Sequence, residues 1–166
     1  MYLLIFLPFG LQTILIGADE YFFHIKRGLP KWERIGHPLD TLTVLSCFLF
    51  ILLIPYTEEK ISLYACLALF SCIFVTKDEF IHKHHCPASE QWLHALLFIN
   101  HPILLTLAGC LWPLIHQKNS FAWLDAMLAH SDMIRIFIMA QCAFITSFFL
   151  YQTIYWNILW KNPKKS

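Results

Sequence analysis

Carboxylates and imidazoles recur at helical spacing in four short stretches of this chain. Glu20 precedes His24 by four residues and Glu33 precedes His37 by four. Glu79 precedes His82 by three, with His85 three further on, and Glu90 precedes His94 by four, with His101 seven beyond. Residues three or four apart share one face of an α-helix, so each stretch, if helical, presents a stripe of one carboxylate and one or two imidazoles. Mixed carboxylate and imidazole donors suit iron, manganese or zinc, whereas a thiolate-rich set would point to structural zinc or an iron–sulfur cluster. A catalytic zinc needs three protein ligands, and the surplus of donors favours two metal ions, iron first, with zinc or manganese as alternatives. The expected ligands are Glu20, His24, Glu79, His82, His85, Glu90, His94 and His101, with His37, Asp40 and Asp78 in reserve. Asp40 reads equally well as a helix cap, and Glu33 and His84 as solvated loop residues. His116 and His130 are expected to lie away from the site.

Cys47, Cys66, Cys72, Cys110 and Cys142 fall inside apolar runs, where cysteine behaves as a small hydrophobe, and read as reduced packing residues. Cys86 follows His84 and His85 in a polar stretch and is a candidate ligand. Tyr151, Gln152, Tyr155, Trp156 and Asn157 crowd the end of the last apolar run. They could support metal ligands from behind. For Tyr155 and Trp156 an interfacial anchor is the simpler reading, and for Gln152 an interhelical hydrogen bond.

Composition says what kind of helices must carry these stripes. The chain is 58% hydrophobic and only 14% charged, with 15 Phe and 5 Gly, and its mean hydropathy is +0.56. A soluble domain of this size uses roughly a quarter charged residues. Apolar runs near the ~20 residues that cross a bilayer fall at about 2–25, 39–56, 61–76, 92–116 and 134–158. They predict an all-α, polytopic membrane helical bundle of about five transmembrane helices forming a single domain over 1–166. Only Thr57-Glu58-Glu59-Lys60 joins the second and third runs, which therefore form an antiparallel hairpin. The first run has no preceding Lys or Arg and resumes at Tyr21, so it reads as a retained span and not a cleaved signal. Residues 119–130 read as a short amphipathic segment on the outer surface.

Nine of the twelve Lys and Arg residues fall on one side of this topology, which places the N-terminus outside and the C-terminus in the cytoplasm of a multi-pass protein of the cell (inner) membrane. The same sorting gathers most of the carboxylates and seven of the nine histidines at the cytoplasmic face. Asp19 and Glu20 interrupt an apolar run, and His101 lies about 14 Å along its helix from Trp92 at ~1.5 Å per residue. Such groups are tolerated at membrane depth chiefly when paired, metal-bound or facing a cavity. Pro102 follows His101 and removes an amide donor beside it. A net charge of +1 gives no basic face for nucleic acid, and that partner class is excluded.

Glu79-Phe80-Ile81-His82 fits the Glu-x-x-His element of soluble di-iron bundles, while the remaining pairs carry one more spacer. His82-Lys83-His84-His85 resembles the histidine boxes of the membrane fatty-acid desaturase and hydroxylase families, a likeness of four residues. The resemblance implies an oxygen-activating di-iron site at the cytoplasmic face, acting on lipid-like substrates. The leading expectation is thus a di-metal oxidoreductase whose substrate is an apolar molecule from the bilayer, or a quinol. The alternatives are a zinc-dependent hydrolase of membrane lipids, with metal-bound water as nucleophile, or a non-enzymatic metal, proton or haem carrier using a pair such as His94 and His101.

Overall fold

The computed structural model describes residues 2–78, 86–118 and 121–161. All regular structure among them is helical. The chain begins with a 3-10 turn (Tyr2–Phe6) that runs into α1 (Leu7–Asp19), then a π-helical turn (Glu20–His24) and a last α-turn (Ile25–Arg27). Next come α2 (Lys31–Leu53) and α3 (Ile61–Phe74), the latter flanked by 3-10 turns at Glu58–Lys60 and Val75–Asp78. After α4 (Ala88–Ile115), a 3-10 stretch (Ala122–His130) leads into α5 (Ser131–Ile154), which closes with a second π-helical turn, Tyr155–Leu159. The amphipathic segment expected over 119–130 is this 3-10 stretch, with Leu124 and Met127 buried.

Four helical stretches are long and apolar enough to cross a membrane: Lys31–Leu53, Glu58–Lys77, Ala88–Ile115 and Ala122–Leu159. The segment ending at Arg27 is helical throughout, but its regular α stretch is only 13 residues and then gives way to the π turn. Large apolar side chains such as Leu4, Ile14, Leu63, Ile73, Ile136 and Ile158 cover the outside, as a surface solvated by lipid requires. The helix bounds differ from the hydropathy runs where turn chemistry intervenes. α2 starts eight residues before its apolar run because Pro30, held extended, sets up a first turn of polar residues, and it stops at Leu53 because Pro55 disfavours helix in the residue before it. α4 runs unbroken through Pro102 and Pro113.

α1 packs on α4, α2 on α5, and α3 on α2 and α4. At the end of the bundle away from the carboxylates the interior is apolar and fully buried around Ile51, Leu111, Trp112 and Leu114. Neutral polar groups tie the helices to each other. Asn100 donates to the Pro8 carbonyl at 2.9 Å and to Gln12 Oε1 at 2.8 Å, and Thr41 donates to Gln152 Oε1 at 2.7 Å. In lipid, where apolar burial drives association little, such bonds and close packing hold helices together. The bond expected of Gln152 is therefore found, to α2.

The chain turns from the first helical segment into α2 at Gly28 (φ +73°), where a Cβ would come within 2.5 Å of the Trp160 ring. Trp160 lies under the Arg34 guanidinium at 4.4 Å, and Asn157 donates to the Arg34 carbonyl at 3.0 Å, so the last π turn is fastened across the start of α2.

Candidate metal centre

The ends of α1 and α5 and the starts of α2 and α4 meet at one end of the bundle, and four buried carboxylates, Asp19, Glu20, Glu33 and Glu90, meet there with them. The π-helical turn explains how one short segment contributes three of the groups. In an α-helix Asp19 and His24, five residues apart, would point about 140° away from each other at 3.6 residues per turn. Here the Ile25 amide bonds to the Glu20 carbonyl, closing the turn i→i+5, and this widened turn brings Asp19 and His24 to the same side. His24 Nε2 lies 3.1 Å from Asp19 Oδ2 and 3.9 Å from Glu90 Oε1, and His94 Nε2 lies 3.2 Å from the same Asp19 oxygen.

Ligand atoms of Asp19, His24, Glu90 and His94 all lie within 4.8 Å of one another, and all four residues are buried. That spacing is the one donors adopt around a single ion. A second group, His24, Glu33 and His37, meets the same distance and shares His24, whose ring stacks on His37 at 4.9 Å. Among the described residues, His24 Nε2 and Glu90 Oε2 are buried and form no hydrogen bond. A buried lone pair left unused in this way is a free-energy cost unless a cation takes it up.

Glu20 stands just behind the four-residue group. Its Oε2 is 3.1 Å from His24 Nδ1, and its Oε1 accepts from the Tyr151 hydroxyl at 2.6 Å and from Trp156 Nε1–H at 2.9 Å. A carboxylate accepts, so Nδ1 donates to Glu20, and the ring's Nε2 faces Asp19 and Glu90. A carboxylate that orients a metal-bound imidazole in this manner is a recurrent support for metal sites. Trp156 is almost fully buried and serves this network, which replaces its reading as an interfacial anchor. Its π turn, closed by a 2.7 Å bond from the Trp160 amide to the Tyr155 carbonyl, aims it inward.

Arg27 is the counter-charge. Its Nη2 lies 2.7 Å from Glu90 Oε1 and 2.9 Å from Glu33 Oε2, so one nitrogen joins a carboxylate of each ligand group. Burial opposes the guanidinium charge, but the two carboxylates outweigh it and its pKa is raised. Cys86 Sγ accepts from the same nitrogen at 3.7 Å. Burial, with Glu90 adding to it, pushes the Cys86 thiol up to about 12, so the free thiol is protonated at neutral pH; Cys86 is in neither ligand group.

The remaining expected ligands are distributed as follows. His37 is in the second group. Asp40 pairs with Lys77 and lies 3.9 Å from His37 Nδ1. His101 is buried two turns along α4 from His94 and meets Ser71 Oγ at 3.1 Å, outside both groups. Glu79, His82 and His85, with His84, lie outside the described residues, as does the side chain of Asp78. His116 is at the far end, 3.0 Å from the Ile51 carbonyl. Two members of the groups, Asp19 and Glu33, and the bridging Arg27 were not among the expected ligands. The i,i+4 stripe finds Glu20 but not Asp19, which reaches His24 only through the π turn.

The cluster forms one end of a cavity of about 150 Å³. Asp19, Glu20, His24, His37 and His94 line that end, and Phe9, Phe48 and Leu104 line the other. No family model, curated protein or solved structure matches the chain.

Proposed function

We propose that this chain is an integral-membrane metal oxidoreductase that holds two irons and acts on an apolar substrate. The observation that carries the reading is the buried four-residue group Asp19, His24, Glu90 and His94, of which Asp19, His24 and His94 line a largely apolar cavity. Asp19, His24, Glu90 and His94 would hold one ion. Glu33 and His37 would contribute to a second, with Glu79, His82 and His85 as the candidates to complete it. When bound, iron in such a donor set supplies oxygen activation. Glu20 keeps His24 in its metal-binding tautomer, Arg27 balances the carboxylate charge, and the cavity orients the apolar molecule and keeps water from it.

The donor count favours iron over zinc. Four protein ligands would close the tetrahedral shell of zinc and leave no position for a water nucleophile, whereas an octahedral ion retains open positions. A haem bound by His94 and His101 is disfavoured because the two lie on one face of one helix and the first is surrounded by carboxylates. In this reading the segment ending at Arg27 is a fifth crossing, the N-terminus is outside, and the cluster faces the cytoplasm of a cell with the protein in its inner membrane. The unequal Lys and Arg distribution supports that orientation.

Elemental analysis of detergent-purified protein, alongside oxygen uptake with apolar substrates, tests the proposal. About two irons per chain and substrate-dependent oxygen uptake are expected. A folded preparation free of iron, zinc and manganese would overturn it.

A further inference from the structure

The cavity has a second polar station that the metal centre does not use. Along α4 it is lined by His94, Leu97, Phe98, His101 and Leu104, and along α1 from Phe9 to Glu20, which at ~1.5 Å per residue makes it about 15 Å long. Beyond the carboxylates and histidines its walls are largely apolar, suited to an extended apolar molecule. His101 lies seven residues from His94, so the two imidazoles are separated by about 10 Å along the helix.

Hydrogen-bond accounting fixes what His101 offers. Thr43 Oγ1 donates its one proton to the Asp40 carbonyl at 2.8 Å. In the one assignment that makes all three contacts hydrogen bonds, its 2.8 Å contact with Ser71 Oγ is donated by Ser71, which commits the Ser71 proton. The 3.1 Å contact between Ser71 Oγ and His101 Nε2 is consequently donated by His101, and the proton sits on Nε2. A buried imidazolium partnered by a lone hydroxyl is costly at membrane depth, so the ring is neutral and Nδ1 carries a lone pair. Among the described residues no donor meets Nδ1, and the ring lines the cavity.

We infer that His101 is a specificity-determining acceptor: the cavity selects an apolar molecule bearing a hydroxyl or N–H donor, held at His101 Nδ1 so that a carbon about 10 Å away lies against the Asp19, His24, Glu90 and His94 cluster. The inference rests on the metal-centre reading only for what happens at that carbon; the binding preference stands by itself. The Thr43–Ser71–His101 chain, which joins α2, α3 and α4, fixes the ring and its tautomer for the task.

The test uses the full chain labelled with ¹⁵N-histidine in detergent, with metal content measured on the same sample. The His101 ¹⁵N shifts report the tautomer, and titration with n-decanol or its methyl ether at equal mole fraction in the micelle reports the preference. An Nε2–H tautomer is expected, with decanol binding roughly tenfold tighter than the ether, the value of one neutral hydrogen bond, and a shift at His101 Nδ1. His101→Phe keeps an aromatic ring of similar bulk but has no acceptor, and is expected to bind both probes alike. An Nδ1–H tautomer, equal binding by the unsubstituted chain, or a preference that survives in a folded His101→Phe overturns the inference. Because metal is assayed separately, a metal-free protein that still prefers the alcohol overturns the proposed function alone.

Discussion

The two ends of this bundle bury polar groups in opposite ways. At the end around Trp112 each buried donor has a single neutral partner on the backbone: Trp112 Nε1–H donates to the Ile54 carbonyl at 2.8 Å and the Tyr64 hydroxyl to the Leu105 carbonyl at 2.6 Å, while His116 Nε2 sits 3.0 Å from the Ile51 carbonyl. Such bonds are satisfied one to one and fasten helices. At the other end four buried carboxylates gather, two of them on one half-buried guanidinium, and imidazoles crowd against them, His24 with its Nε2 unbonded. Like charges this close are costly in a medium of low dielectric, and they are kept only where positive charge compensates them. One end is polar for stability. The other gives up stability for a group that could hold a metal ion.

The strongest way to break that contrast is to make one large change at each end. Trp112→Ala and Arg27→Leu should each cost about 3–5 kcal/mol, the first by opening a cavity and the second by leaving Glu33 and Glu90 without their cation. Only the Arg27→Leu loss should shrink when ferrous ion or zinc is added, since bound metal can take over the charge. Unfolding curves with chelator and with metal measure this directly. Equal losses under both conditions would make the Arg27 network purely structural.

A subtler change separates ligands from their supports. Glu20→Gln leaves the four-residue group intact but weakens the hold on the His24 Nδ1 proton. Metal affinity should fall by about 10–100-fold, the usual effect of losing an orienting carboxylate. His116→Ala, at the neutral end, should leave affinity unchanged. Competition with a chromophoric chelator reads both, and an unchanged affinity in Glu20→Gln would mean that Glu20 does not orient a ligand.

These residues also mark how much could be read without coordinates. The all-helical character and the hairpin between α2 and α3 follow from apolar runs and short polar joints, because hydropathy and turn composition are local properties. The Glu20–His24, Glu33–His37 and Glu90–His94 stripes are legible for the same reason, being consequences of helical periodicity. Asp19 was not, because its reach to His24 depends on a π turn that no i,i+4 pattern encodes. Arg27 reads in a sequence only as one more positive charge beside a membrane, and its role arises from Glu33 and Glu90 arriving from two other helices. His101 shares the α4 face with His94, but periodicity gives direction and not depth, and two turns of helix carry it out of reach of the carboxylates.

Gly28 tests how the site depends on its surroundings. Its backbone lies in a region open essentially only to glycine (φ +73°, ψ 157°), and a Cβ there would meet the Trp160 ring at 2.5 Å. Gly28→Ala should cost roughly 1–3 kcal/mol. Because Gly28 adjoins Arg27 and supports the π turn that carries Trp156, metal content should fall with stability. Thermal melts and metal analysis on the same samples check this, and a stable variant with full metal would show that the turn does not position the site.

The smallest effect is expected at Cys86, although its thiol touches the same Arg27 nitrogen as the two glutamates. A pKa pushed up to about 12 means that the neutral thiol is the stable form across the physiological range, since burial and Glu90 both penalise the thiolate. Cys86 is also in neither ligand group, so Cys86→Ser should leave metal content and metal affinity unchanged. In the unsubstituted chain, iodoacetamide labelling at Cys86, followed by peptide mass spectrometry, should be slow at neutral pH and rise about tenfold per pH unit to beyond pH 10, because only the thiolate reacts. A labelling plateau near neutral pH, or loss of metal in Cys86→Ser, would instead place a thiolate in the centre and shift its chemistry toward softer ions.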